Sequence, residues 1–192
     1  MIKFYTNQEL SRKFKIKLAR WKRWSREFLP PDTLGGLQSG YARQYNPDEA
    51  FTVFLGGNLV GDLKFSIPEA RQIMHDLQSW LVDRGFYYNF SGTSPSENRT
   101  KFSIHHYQIA IYRPTIGDNN DSAFFYLTKG LIAQESIEFN AAPVRQERFI
   151  ESPINPAKRE SPVNAAASHQ VLNISNLRHR FLRLLEDGQA VD

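Results

Sequence analysis

The chain has 192 residues, with 24 Lys or Arg against 20 Asp or Glu, a formal net charge of +4, 14 Phe and no Cys. That composition excludes disulfides and any thiolate metal or redox site. No apolar run approaches the roughly 20 residues of a membrane span, and the N-terminus MIKFYTNQEL is too polar for a signal peptide, so a cytoplasmic protein without a membrane partner is expected. The charge is unevenly placed. Residues 1–45 hold ten Lys or Arg and three Asp or Glu, a balance of +7, whereas residues 46–192 hold fourteen and seventeen, a balance of −3. A basic first quarter on a slightly acidic remainder points to a polyanion bound by the N-terminal part.

The first element begins at Thr6-Asn7-Gln8-Glu9, a capping box in which Thr6 caps and Glu9 reaches back. A first helix is predicted from Asn7 to about Phe14, with Leu10 and Phe14 facing inward. Only Lys15-Ile16-Lys17 is left for a turn, which lacks the usual glycine, and Lys17 is a poor cap. A second helix follows, within the stretch KIKLARWKRWSREF at 15–28. At helical spacing Leu18, Trp21, Trp24 and Phe28 fall on one side, with Ser25 among them. Ala19, Arg20, Lys22, Arg23 and Arg26 fall on the other, and Lys17 stands at its start. One side can be buried. The other presents forked and point-charge donors around a small residue, as a helix entering a DNA major groove requires. The tryptophans then read as packing, not as base-stacking platforms.

The second helix must stop by Pro30-Pro31. Gly35, Gly36 and Gly40 punctuate a loop that leads to Tyr41-Ala42-Arg43-Gln44-Tyr45. Tyr41, Arg43 and Tyr45 share parity, hence one strand face, where Arg43 and the tyrosine hydroxyls could hold phosphates. Asn46-Pro47-Asp48-Glu49 opens a third helix, which Gly56-Gly57 ends or loosens. Ser66-Ile67-Pro68-Glu69 opens a fourth, with Ala70, Ile73, Met74, Leu77 and Leu81 on its apolar stripe and Gly85 as its C-terminal cap.

Residues 4–84 resemble the MerR-type winged-helix DNA-binding domain. The resemblance rests on YTNQEL opening the first helix, RWSREFLPP closing the second, RQY ending the wing, NPDEA opening the third and LKFSIPEARQIM the fourth. It implies a helix-turn-helix followed by a wing. It places base and phosphate contacts on Ala19, Lys22, Arg23 and Arg26, with a wing arginine at Arg43 and a wing tyrosine at Tyr45. Lys22 stands where the family usually has Arg, Trp24 where it has Tyr, and Phe28 where it has Gly. Excisionase-type domains share the RW-x-RE wording.

Beyond residue 85 the usual long dimer helix of that family is absent. Strands are predicted instead at 86–90, 102–112, 124–127, 136–139 and 145–150, with a bulge at His105-His106 and turns at 92–99 and 118–121. Residues 152–172, rich in Pro, Ala and Ser, read as a linker. A last amphipathic helix opens at Ile174 with Ser175 as cap. Its apolar side is Ile174, Leu177, Phe181, Leu184 and Leu185, and Gly188 ends it. It could cover the meander of its own chain or dock on a second subunit, and the homodimer is favoured because the resemblance implies two-fold operators.

The expected fold class is therefore α+β. A winged helix-turn-helix of four helices with a small wing occupies 1–85, a small antiparallel β meander of unknown role 86–151, a linker 152–172, and a C-terminal amphipathic helix 173–188. The expected function is a sequence-specific, double-stranded DNA-binding transcriptional regulator, dimeric. The competing reading is a phage or recombination-associated accessory protein with weak sequence preference and a protein partner. The aromatic-rich second half could also take a small ligand, although those side chains serve equally as core. Adjacent His105 and His106 point to opposite faces of a strand, so no metal is expected. No phosphate loop or nucleophile motif is present, so neither a cofactor nor a catalytic residue is assigned.

Overall fold

The computed structural model describes residues 4–32, 43–87, 106–113, 124–139, 142–154 and 169–186, with side chains of 134–145 left aside. Among the described residues the fold mixes five helices with two antiparallel sheets. The chain divides into two units, residues 1–95 with 177–192, and residues 96–176.

In the first unit, β1 (Tyr5–Thr6) runs straight into α1 (Asn7–Lys13). The capping box is formed: the Glu9 amide donates to Thr6 Oγ1, and the Thr6 amide donates to Glu9 Oε2. Helix α1 ends without glycine. Ile16 N donates to Ser11 O and Lys15 N to Arg12 O, while Lys15 adopts φ +54°. This is a Schellman closure with lysine in the left-handed position that glycine usually takes. The Ser11 hydroxyl adds a bond to Ile16 O at 2.8 Å. Helix α2 (Leu18–Phe28) then starts from Lys17 with no side-chain cap.

A two-residue strand β2 (Gln44–Tyr45) pairs antiparallel with β1, Tyr5 opposite Tyr45. Helix α3 (Pro47–Gly61) and helix α4 (Ile67–Asp83) both begin at complete capping boxes, on Asn46 with Glu49 and on Ser66 with Glu69. Gly85, at φ +73°, closes α4, and Phe86 N returns to Leu81 O.

Helix α3 does not stop at Gly56-Gly57 but continues to Gly61. These two glycines are the seat of α2. A Cβ on Gly57 would overlap the Trp24 ring, and one on Gly56 would overlap Phe28. Their missing side chains let two helices approach closely, and that packing outweighs the roughly 1 kcal/mol each that glycine costs inside a helix.

The C-terminal helix α5 (Ile174–Glu186) contributes its later turns to this first unit. Phe181 is fully buried. Its ring centroid lies 5.2 Å from that of Phe51, 5.4 Å from Phe14 and 5.6 Å from Phe54. Lys13 Nζ donates to Leu185 O, and Arg178 Nε to Phe86 O at 3.0 Å. The expected choice between covering the meander and docking on a second subunit is corrected. From Leu177 onward the apolar face completes the core that α1 and α3 leave open. The cap is also corrected: Asn173 Oδ1 accepts from Asn176 N, while Ser175 Oγ accepts from Tyr107 N. Gly188 lies outside the described residues.

The second unit is one four-stranded antiparallel sheet in the order β5-β4-β3-β6, from β3 (His106–Tyr112), β4 (Phe125–Phe139), β5 (Ala142–Ile154) and β6 (His169–Leu172). The separate strands expected at 124–127 and 136–139 are one continuous strand, irregular between Leu131 and Ala133. The expected linker is shortened at both ends. Ser152, Pro153 and Ile154 finish β5, and His169–Leu172 return to pair with β3. Pro153 sits on β5, whose outer side carries no further strand among the described residues, so its missing N–H costs nothing there. Phe86 and Tyr87, expected as strand, close α4 instead. Residues 88–90, the turns at 92–99 and 118–121, and His105 lie outside the described residues.

Most of the buried side chains of this sheet follow strand parity, while Tyr112 and Phe125, paired with each other, are buried on the opposite face. Ile109 and Ile111 of β3, Tyr126 and Thr128 of β4, Ile154 of β5 and Leu172 of β6 are buried on one face. The registers Ile109↔Thr128, Ile109↔Leu172, Ile111↔Tyr126 and Tyr126↔Ile154 set them side by side.

Candidate nucleic-acid interface

Helix α2 sorts its side chains sharply. Trp21, Trp24 and Ser25 are buried, with Trp21 fully so. Lys17, Ala19, Arg20, Lys22, Arg23 and Arg26 are all exposed. Among the described residues none of these five cations enters an ion pair, so each keeps its donors directed at solvent. Five positive charges on about three turns, with Ala19 between them, form a strongly basic surface.

The buried side is what holds this face in place. Trp21 packs on Phe14 at 5.4 Å between centroids and edge-on to Tyr45 at 6.0 Å. Ser25 is the polar residue among the aromatics, and it is satisfied by Tyr45. The Tyr45 hydroxyl donates to Asn7 Oδ1 at 2.7 Å and lies 2.7 Å from Ser25 Oγ. With the one phenolic proton given to Asn7, Ser25 must be the donor to Tyr45. A single buried hydroxyl thus ties the start of α1, the middle of α2 and β2 together. Burial raises the Tyr45 phenol above its ordinary range, opposed by the Ser25 hydrogen bond and by Arg43.

This arrangement gives two expected contact residues partners within the chain. Tyr45 is only 1% exposed, so its hydroxyl braces α2 from behind and does not reach outward. Arg43 is also largely committed inward. Its Nη1 donates to Pro30 O at 2.9 Å, its Nη2 lies 3.5 Å from Glu49 Oε1, and its guanidinium sits 5.6 Å from the centre of the Tyr45 ring. It clamps the end of α2 to the start of α3. Both carry the parity that was expected of them, but β2 pairs with β1, and the face read as a phosphate surface is turned onto α2. Tyr41 lies outside the described residues.

An open cleft of about 980 Å³ runs beside the basic face, lined by Ala19, Lys22, Arg26 and Pro31 among others, and Arg43 and Tyr45 also border it. Arg20 and Arg23 face the other flank, beside Val60, Lys64 and Pro68. So Lys22 and Arg26 line one side of α2, and Arg20 and Arg23 the other. A separate cleft of about 550 Å³, lined by Phe28, Asp48, Thr52, Met74 and Tyr87 among others, carries no surplus of cations. Among the described residues no three His, Asp or Glu side chains are grouped as metal ligands, and no helix is long and apolar enough to cross a membrane.

Comparison with known proteins returns nothing. No family model, no curated protein and no solved structure matches this chain.

The residues that hold the basic face were partly visible beforehand. A serine on the apolar side of α2 is itself the signal of a buried hydrogen-bond partner. The seat formed by Gly56 and Gly57 carried no local signal, because glycine for close approach and glycine for termination are the same letter.

Proposed function

We propose that this chain is a sequence-specific, double-stranded DNA-binding regulator that acts in the cytoplasm and reads DNA with the exposed face of α2. In this reading α1, the turn at Lys15 and α2 form a helix-turn-helix of the MerR type, and β2, paired with β1, belongs to its wing. The observation that carries the proposal is the sorting of α2. All of its cations are exposed on the face that no other described element covers, while both tryptophans and Ser25 are spent on fixing its orientation. An 11-residue helix is about 16 Å long, and the major groove, about 12 Å wide, admits it. Lys22 and Arg26 on one flank and Arg20 and Arg23 on the other are suited to the two phosphate walls. Forked guanidiniums directed inward over Ala19 can take guanine O6 and N7.

Selection from a pool of random duplexes tests this reading. A regulator enriches one sequence, and a two-fold repeat of it if two copies bind together. A pool that stays random while still being retained would reduce the protein to a backbone binder, and a pool that is not retained would remove DNA altogether.

A further inference from the structure

The cleft of about 550 Å³ lies within the first unit, and three helices wall it. The end of α2 supplies Phe28, Leu29 and Pro30, and α4 supplies Met74 and Val82, all apolar. Its polar groups come together where α3 begins. Thr52 Oγ1 donates to Asp48 O at 2.8 Å and lies 3.4 Å from the Tyr87 hydroxyl. Asp48 is only 3% exposed. Burial raises the Tyr87 phenol above its ordinary range, opposed by the Thr52 hydrogen bond, so it keeps its proton through neutral pH.

The charges around the cleft balance. Arg71 Nη2 lies 2.7 Å from Glu27 Oε2, and Arg71 Nε donates to Glu27 O. Arg43 Nη2 lies 3.5 Å from Glu49 Oε1. Asp48 and Arg178 act on the Tyr87 phenol in opposite senses. His75, the remaining titratable side chain of the lining, is 82% exposed and stands 3.6 Å from Asp76. The three lining carboxylates are thus matched by three guanidiniums. A charged occupant would bring a charge without a counterpart out of water, which costs far more than burying a neutral polar group.

We propose that this cleft binds a small uncharged molecule with an aromatic body and one hydrogen-bonding group. Its volume falls within the roughly 300–1,000 Å³ of small-molecule sites, which likewise set a few convergent polar groups among apolar walls. The body lies against Phe28, Met74 and Val82, and the polar group meets the hydroxyls of Thr52 and Tyr87. Met74 is unbranched and adapts to the outline of the occupant. The proposal stands apart from the DNA reading, and its test contains no DNA.

The probe is N-phenylnaphthylamine, an uncharged aromatic amine with one N–H whose fluorescence rises when it leaves water. Titrated with the full chain, it should bind with a Kd below about 100 μM. Gln78→Trp and Met74→Trp fill the cleft and should each weaken binding at least about tenfold. Gln78 is exposed, so its variant keeps its circular-dichroism spectrum and decides the matter if Met74→Trp fails to fold. Val171→Glu, on the sheet, should change nothing. Naphthalenemethanol should displace the probe, while naphthoate and naphthylmethylammonium, of the same size but charged, should do so at least about tenfold more weakly. Tyr87→Phe should weaken the alcohol by about three- to tenfold. A probe that stays unbound at about 100 μM protein overturns the proposal. So does binding that Gln78→Trp leaves intact, an ion that displaces the probe as well as the alcohol does, or an alcohol indifferent to Tyr87→Phe.

Discussion

Replacing Phe181 by Ala tests where the C-terminal helix belongs. Phe181 is fully buried, and its ring meets those of Phe14, Phe51 and Phe54 at centroid distances of 5.2 to 5.6 Å. Removing a phenyl ring from such a site costs about 3–5 kcal/mol, lost burial plus the cavity left behind. That is a large part of the roughly 5–15 kcal/mol that holds a domain folded. The chain supplies its own selective probe. Its three tryptophans, Trp21, Trp24 and Trp80, all lie in the first unit, so tryptophan fluorescence in urea follows that unit alone. With a urea dependence of about 1–3 kcal/mol per molar, the midpoint should fall by at least about 1 M. Arg183→Ala, exposed on the same helix, should leave it in place. A Phe181→Ala midpoint within about 0.3 M of wild type would refute the packing. It would return α5 to the role first expected of it, as a helix docked on the meander or on a second subunit.

Other outcomes follow from the same contacts. Gly57→Val should destabilise the first unit by about 1–3 kcal/mol or more in the same urea titration, because the new side chain must displace Trp24; tolerance would mean that α2 and α3 are not that close. Tyr45→Phe should cost about 1–3 kcal/mol by leaving Ser25 and Asn7 without their partner. The phenol of Tyr45 is raised in the folded state, so the folded chain holds its proton longer than the unfolded one. Stability is therefore flat through neutral pH and declines above about pH 10, the ordinary phenol value. Thermal melts between neutral and alkaline pH should show that decline reduced in Tyr45→Phe. Arg43→Ala should lower stability at least as clearly as it lowers DNA affinity, since the guanidinium is held by Pro30 and Glu49. A large affinity loss with unchanged melting would restore it as a phosphate contact.

What could be read from sequence was what local chemistry decides. The capping boxes at Thr6, Asn46 and Ser66, and the left-handed Gly85, are complete within four residues of chain, so their helix ends are legible. The division of α2 into a tryptophan side and a cationic side is equally local. Most of the misreadings involve contacts between distant residues. Gly56 and Gly57 answer Phe28 and Trp24, a contact that no window of sequence contains. Residues 169–172 pair with β3 some sixty positions earlier, so a polar segment next to Pro and Ala reads as linker until its partner is known. The apolar stripe of α5 shows that something must cover it but not what, and the answer lies with Phe14, Phe51 and Phe54. Tyr45 and Arg43 show the same limit at the candidate site. Their parity is legible, but which way the face turns is set by β1 pairing with β2.

The most direct test of the central claim is a salt titration of duplex binding by fluorescence anisotropy, for wild type and for Lys22→Ala/Arg26→Ala. If the exposed face of α2 holds the phosphates, the logarithm of the affinity should fall with the logarithm of salt by about 0.9 per phosphate neutralised. The double variant should lose roughly two of those contacts, so its line should be shallower by about 2 while the fold, monitored by tryptophan fluorescence, stays intact. No binding at low salt, or binding whose slope is unchanged by the two substitutions, would contradict the account.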